Sequence, residues 1–127
     1  MTIDLSRFAF DRAALGEGES DFVAGIPAGF SSRDQLFQAL RDGLNFPDYF
    51  GYNWDALTDC LGDLSWIAER RVIIAHEDLP QLDRDALVIY LEILCDCVAG
   101  WNGQKGHELI VAFPKAVLGQ VQVIADA

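Results

Sequence analysis

Apolar residues fall along this chain in two kinds of pattern. Some form short, nearly continuous runs, and others form one stripe along a longer and more polar segment. A continuous apolar run of strand length, flanked by charge or turn residues, is typical of a strand buried in a parallel sheet. Three such runs are present: Phe22–Ile26 (FVAGI), residues 70–76 (RRVIIAH) and residues 107–113 (HELIVAF).

Two segments between these runs have helical patterns. Residues 31–44 carry an apolar stripe, and Ser32 with Gln35 three residues on has the spacing of a capping box. Gly43 is the expected end of this first helix. Residues 83–100 are long enough for a helix and apolar nearly all round, which predicts a deeply packed helix.

A shorter helix is predicted between the first helix and the second apolar run. Asn53 is a plausible N-cap for a helix over residues 54–61, which Gly62 would end. An aromatic loop, PDYFG, precedes it. Aromatic side chains bury large areas, so we expect Phe50 and Trp54 to point inward and Tyr49 outward.

The order strand, helices, strand, helix, strand predicts an α/β fold: a small three-stranded parallel sheet with right-handed crossovers, packed with three to four helices. A chain of 127 residues fits one domain, here residues 1–127. Residues 1–20 are expected to form an N-terminal extension with a flexible break at GEGES, residues 16–20. The C-terminal tail, residues 114–127, could form an edge strand or a short helix.

Charge narrows the classes of partner. There are 20 acidic and 9 basic residues, a net charge of −11, while 51% of the residues are hydrophobic, as in a globular protein. The electric field of this net negative charge repels nucleic acid and anionic lipid and attracts cationic proteins. The amino end lacks the pattern of a secretory signal, and no run approaches membrane-spanning length. We therefore expect a cytoplasmic protein that binds neither nucleic acid directly nor membrane.

Cysteine and histidine positions give no sign of a metal site. Cys60, Cys95 and Cys97 cannot all pair, and we expect them to be reduced and buried. His76 and His107 each stand alone, without the paired ligand spacing of zinc sites. No phosphate loop or catalytic triad is present. The expectation is a protein without metal, cofactor or catalytic residues.

The segment between Arg41 and Arg70 is unusually acidic. It contains six carboxylates and no Lys or Arg: Asp42, Asp48, Asp55, Asp59, Asp63 and Glu69. Asp55 and Asp59 lie one turn apart on the predicted short helix, where like charges repel slightly. Without a partner, Asp55 could be explained by its favourable interaction with the positive end of the helix dipole, and Asp59 could be an ordinary solvated surface charge. A cationic partner would explain both.

One stretch of the chain resembles a known family. Residues 47–61, PDYFGYNWDALTDCL, resemble the signature loop and second helix of the barstar family of ribonuclease inhibitors. The order of the elements resembles that of the family over about residues 21–113. The resemblance implies an intracellular inhibitor, not an enzyme, that plugs the active site of a small basic ribonuclease. It also implies a cationic ribonuclease as partner, and we expect a monomer when the protein is free.

The resemblance assigns roles to individual residues. Asp59 would reach deepest, toward the phosphate-binding Arg and His of the enzyme, and Asp55 would face basic residues at the cleft edge. Both carboxylates would mimic RNA phosphates. Tyr49 would pack near the catalytic histidine. Gly51 and Asn53 would supply backbone and cap geometry.

Five further positions extend or depart from the pattern. Gly62 would lie where the helix end touches the enzyme. Thr58 replaces a tryptophan of the best-known member, which leaves the identity of the partner open. Trp66 could restore an aromatic contact. On the long helix Glu92 is the nearest match to an acidic contact residue of the family, and Asp96 is nearly as good.

Two other functions stay open. The same acidic surface could make the chain an immunity or antitoxin protein against another cationic toxin, such as a deoxyribonuclease or a polymorphic toxin domain. An enzyme could use Asp55 and Asp59 as an acid/base pair, but this would require a pocket and separated pKa values. A short exposed helix offers neither.

Overall fold

The computed structural model describes residues 3–11, 15, 20–102 and 106–126. The strands and helices that it contains are β1 (Phe8–Ala9), β2 (Phe22–Ile26), α1 (Arg33–Leu44), α2 (Trp54–Asp63), β3 (Arg71–His76), α3 (Arg84–Trp101), β4 (Glu108–Ala112) and α4 (Leu118–Asp126). Two 3-10 turns, Leu5–Arg7 and Lys115–Val117, precede β1 and α4. The predicted α/β class is confirmed.

The strands form one sheet in the order β1-β4-β3-β2, and every described pair is parallel. The three predicted strands are its three longer members. In the central pairing Ile74 lies opposite Val111, and on the other side Val23 lies opposite Ile73. The sheet thus has four strands where the sequence predicted three.

The fourth strand comes from the N-terminal extension. Phe8 pairs with Val111 at the edge of the sheet, and its ring packs edge-on against Phe113 at 5.5 Å between centroids. Ile3 is also part of the core. Two residues are too few to show a period in the sequence, so this strand could not be predicted. Of the proposed GEGES break only Ser20 lies among the described residues.

The helices cover one face of the sheet. Alternate strand residues such as Val72 and Ile74 belong to the main core, which also contains buried side chains of all four helices. Ile73 and Ala75 point to the other face, where Leu15 packs against them. The C-terminal tail is therefore settled as a helix, because Val121 of α4 is buried in the main core.

The start of α1 follows the predicted capping box with one change. The Ser32 hydroxyl accepts a hydrogen bond from the Gln35 amide at 3.3 Å. The reciprocal bond comes from the Ser31 amide, which donates to the Gln35 side-chain oxygen at 2.8 Å. Two backbone donors that the helix cannot use are thereby satisfied.

The end of α1 lies beyond the glycine that was expected to stop it. The helix continues to Leu44, and Asn45 takes the left-handed conformation with φ 54°. A Cβ atom at Gly43 would lie 3.4 Å from the Cβ of Ala24 on β2. Gly43 therefore permits close helix–sheet packing, and Asn45 ends the helix.

No described helix is long and apolar enough to cross a bilayer.

Candidate functional site

The loop before α2 is shaped by Gly51, Tyr52 and Asn53. Tyr52 has φ 53°, a left-handed conformation that is uncommon outside glycine and asparagine. The Asn53 side chain accepts a hydrogen bond from the Ala56 amide at 2.8 Å and donates to the Gly51 carbonyl at 3.4 Å. The predicted N-cap is confirmed. These bonds fix the direction in which α2 leaves the loop.

The inner face of α2 is anchored in the core. Leu57, Cys60 and Leu61 are buried. The indole N–H of Trp101 on α3 donates to the Leu61 carbonyl at 2.8 Å. Trp54 is half-buried and packs edge-on against a ring of α1. With one face held in this way, the opposite face of α2 has a defined direction toward solvent.

Asp55 and Asp59 lie on that opposite face. At about 100° per residue they stand about 40° apart and point away from the buried stripe. Both are exposed. Among the described residues, neither carboxylate forms an ion pair or a side-chain hydrogen bond. Both charges are therefore presented to solvent without a cation from the described part of the chain.

Arg41, the cation at the N-terminal end of the acidic segment, pairs with two other carboxylates. Its guanidinium lies 3.5 Å from a carboxylate oxygen of Asp42 and 3.8 Å from one of Asp48. These exposed pairs are worth little in stability. These two pairs hold the Arg41 guanidinium at the start of the aromatic loop, where it pairs with neither Asp55 nor Asp59.

Tyr49 stands beside the acidic face. It is 67% exposed, as the sequence predicted, while the neighbouring Phe50 is buried. Its hydroxyl donates a hydrogen bond to the Asp63 carboxylate at 3.3 Å. Loss of hydration and then the negative charge of Asp63 raise the pKa of Tyr49, with smaller contributions from Cys60 and Asp59. The phenol therefore stays neutral and remains a donor.

Asp63 was not among the predicted site residues, although the structure brings it to Tyr49. Asp55, Asp59 and Asp63 follow one another at four-residue intervals, a spacing that places all three on neighbouring positions of a helix. That signal was present in the sequence. The contact with Tyr49 was not, because it joins residues 14 positions apart.

The Cys60 thiol lies on the other side of α2 and is buried. Burial raises its pKa, and the charges of Asp59 and Asp63 raise it further. A raised pKa means little thiolate at neutral pH, and the thiolate is the nucleophile. The expected burial of the Cys60 thiol is confirmed, and Cys95 and Cys97 are likewise free and buried.

Gly62 does not end α2 as predicted. The helix continues to Asp63, and Leu64 closes it with φ 51°. Gly62 is exposed in the last turn, with open space where a Cβ would stand. Buried Leu64 takes the left-handed position, so the expected glycine stop was wrong by two residues.

Trp66 has an internal role. Its indole N–H donates to the Leu44 carbonyl at 2.8 Å, and its ring packs edge-on against Phe46 at 6.0 Å. The half-buried ring ties the segment after α2 to the end of α1. The indole hydrogen bond of Trp66 is made within the fold, and a contact of its half-buried ring with a partner stays a prediction. Thr58 is exposed, and its hydroxyl donates to the Trp54 carbonyl at 3.0 Å.

The two acidic candidates on α3 lie one turn apart. Glu92 is half-buried and Asp96 is exposed. Within the described ranges neither side chain forms an ion pair or a hydrogen bond. The choice between them stays a prediction. The same ranges contain no group of three His, Cys, Asp or Glu side chains that could hold a metal ion.

Comparison with known proteins identifies the family. The family model described as Barstar (barnase inhibitor) matches residues 26–114, well over half of the chain. The chain belongs to the Barstar family. It is also similar to a protein of Bacillus subtilis (strain 168) named "Putative ribonuclease inhibitor YrdF", with 53% identity over 32 residues. That alignment covers 25% of this chain and 35% of the relative, so it supports the family and carries little beyond it.

Proposed function

We propose that this chain is a stoichiometric inhibitor of a small basic ribonuclease and acts in the cytoplasm of the cell that makes the enzyme. It would occupy the active site without catalysing a reaction. Membership of the Barstar family supports the inhibitor class. The observation that carries the proposal is the outward placement of Asp55 and Asp59, two exposed carboxylates on one face of a helix whose other face is buried.

Phosphate mimicry would explain this placement. A ribonuclease must hold an anionic phosphodiester, so its cleft concentrates cationic side chains. Charge-assisted hydrogen bonds from Arg or Lys to a carboxylate are short and strong. Asp59, in the middle of α2, would enter the cleft, and Asp55 would meet cations at its edge. The net charge of −11 would speed the encounter with a cationic enzyme.

The remaining site residues would complete the contact. Tyr49 would pack beside the catalytic groups of the enzyme. Gly51 and Asn53 would hold the loop, and Thr58 and Gly62 would let the partner approach the exposed side of α2 closely. Glu92 would add a negative charge from α3. The exposure of most of these residues, the partial exposure of Glu92 and the cap that Asn53 makes support these roles.

Asp59→Ala tests the proposal. Removing one partner of a desolvated ion pair costs about 3–5 kcal/mol, which corresponds to a loss of affinity of about 150- to 4,000-fold. Inhibition of RNA cleavage by barnase and a panel of small basic ribonucleases would be measured, with calorimetry for stoichiometry. Asp34→Ala, an exposed aspartate in the first turn of α1, is the matched control. Equal inhibition by both variants would place the interface elsewhere.

A second candidate is an immunity protein against a different cationic toxin, such as a deoxyribonuclease. Thr58 favours it, because a small side chain there offers less contact area than the tryptophan of the family's best-known member. Binding of the chain to a cationic deoxyribonuclease toxin, with no inhibition of any ribonuclease in the panel, would support this candidate over the first. Asp59→Ala should weaken that complex too.

A further inference from the structure

Asp63 occupies a position that the stability of α2 does not explain. It is the last residue of the helix, and the described residues provide it with no ion pair. A negative charge at a helix C-terminus interacts unfavourably with the partial charge of the terminal carbonyl groups. It also lies one turn from Asp59, and like charges at this spacing repel. An uncharged residue would suit the isolated helix better.

What Asp63 does make is the hydrogen bond to Tyr49. The carboxylate accepts from the phenol at 3.3 Å and joins the loop to the far end of α2. Tyr49 is the most exposed of the large apolar and aromatic side chains in the described chain. Without this bond the ring could take several rotamers in solvent. The bond therefore selects one orientation, with the hydroxyl at the acidic face.

We propose that Asp63 is a positioning residue that orients Tyr49 for contact with the partner. The inference rests on the proposed function and adds to it a residue outside the predicted site. An aromatic ring that is held before binding loses less conformational freedom when the complex forms. Asp63 would thus raise affinity through Tyr49, and its own charge would contribute little.

Four variants separate positioning from direct charge recognition: Asp63→Ala, Asp63→Asn, Tyr49→Phe and the double variant Asp63→Ala/Tyr49→Phe. Asn keeps an acceptor oxygen for the phenol but removes the charge. Phe keeps the ring but removes the donor. Affinity would be measured for barnase, or for whichever ribonuclease of the panel the chain inhibits, at two salt concentrations.

Positioning predicts a specific pattern of affinities. Asp63→Ala and Tyr49→Phe should each weaken binding about 2- to 10-fold, the worth of one hydrogen bond. Asp63→Asn should stay within about twofold of the parent, and the double variant should be no weaker than either single variant. If Asp63→Asn is as weak as Asp63→Ala, the partner reads the charge directly and the proposal is overturned. Additive losses in the double variant would also overturn it.

A measurement without the partner checks the contact itself. In Asp63→Asn the pKa of Tyr49, followed by NMR of labelled tyrosine, should fall toward its ordinary value, because the carboxylate helps to raise it. An unchanged pKa would show that the two side chains do not meet in solution. The two failures can be told apart. If Asp59→Ala does not weaken inhibition, the proposed function is refuted. If Asp59→Ala weakens inhibition but the Asp63 variants do not, only this inference is refuted.

Discussion

The buried histidine at the end of β3 predicts stability that is lost in acid. His76 is 6% exposed. Its Nδ1 lies 3.0 Å from the Ala112 carbonyl oxygen and its Nε2 lies 2.6 Å from the Tyr90 hydroxyl. A carbonyl can only accept, so Nδ1 carries the proton and the Tyr90 hydroxyl donates to Nε2. Protonation of Nε2 would remove that acceptor and place a charge in the core.

The size and sign of the effect follow from the pKa. Burial lowers the pKa of His76 from 6.5 to about 4. Between these values the unfolded chain binds a proton that the folded chain does not. The contribution of His76 to stability is therefore complete above the unfolded pKa and is lost as pH falls toward the folded pKa. At about 1.4 kcal/mol per pKa unit the loss is about 3 kcal/mol. Below pH 4 this group causes no further loss.

Urea unfolding at several pH values between 7 and 3.5, at constant ionic strength, measures this loss. His76→Gln is the control, because it shares every carboxylate with the parent but does not titrate at this position. The difference in unfolding free energy between the two proteins should shrink by about 3 kcal/mol from pH 7 to pH 4. A difference that is independent of pH would refute the reasoning. So would an NMR titration of His76 with a midpoint near 6.5.

Two further variants test the core and the thiols. Phe8→Ala should cost about 3–5 kcal/mol of unfolding free energy, because Phe8 is buried against the sheet, whereas Val23→Ala at an exposed site should cost under about 1 kcal/mol. Equal losses would mean that the N-terminal strand is not part of the folded core. Burial raises the pKa of the Cys97 thiol to about 12, and it also raises the pKa of the Cys60 thiol. Both thiols should therefore resist a thiol reagent at pH 7 in native buffer and react in urea. Rapid reaction without urea would contradict this.

The central strands could be predicted because burial on both faces leaves a continuous apolar run. Residues 70–76 show this run, and β3 occupies Arg71–His76 with five of its six residues buried. The first strand has no such signal. Phe8 and Ala9 form a strand only because β4 offers them a parallel edge. A strand defined by its partner cannot be found from local periodicity.

The ends of the helices show the same limit. Glycines at 43 and 62 were expected to stop α1 and α2, but Asn45 and Leu64 take the left-handed positions. Leu64 does so although it has a Cβ, because its side chain is buried in the core. Burial of apolar area outweighs a local conformational cost of about 1–2 kcal/mol. Local preference predicted the ends to within two residues, and tertiary packing chose the final position.

The site could be predicted as far as helix geometry alone determines it. The four-residue spacing of Asp55 and Asp59 sufficed to place both on one face, and the buried stripe of Leu57 and Leu61 sufficed to turn that face outward. The loop could not be predicted in this way. Its course depends on Tyr52 in a left-handed conformation, and only that course brings Tyr49 to the end of α2. Residues that act through the loop therefore require the structure.

The rigidity of α2 is what would let a small acidic face compete with RNA. Carboxylates on a freely moving helix would have to be ordered on binding, at a cost in conformational entropy. Here the Asn53 cap holds the start of α2 and the Trp101 indole holds its third turn through the Leu61 carbonyl. The entropy cost of ordering α2 therefore falls on folding and not on binding. Asp55 and Asp59 would meet the cationic cleft already in position, and affinity would depend on the match of charges.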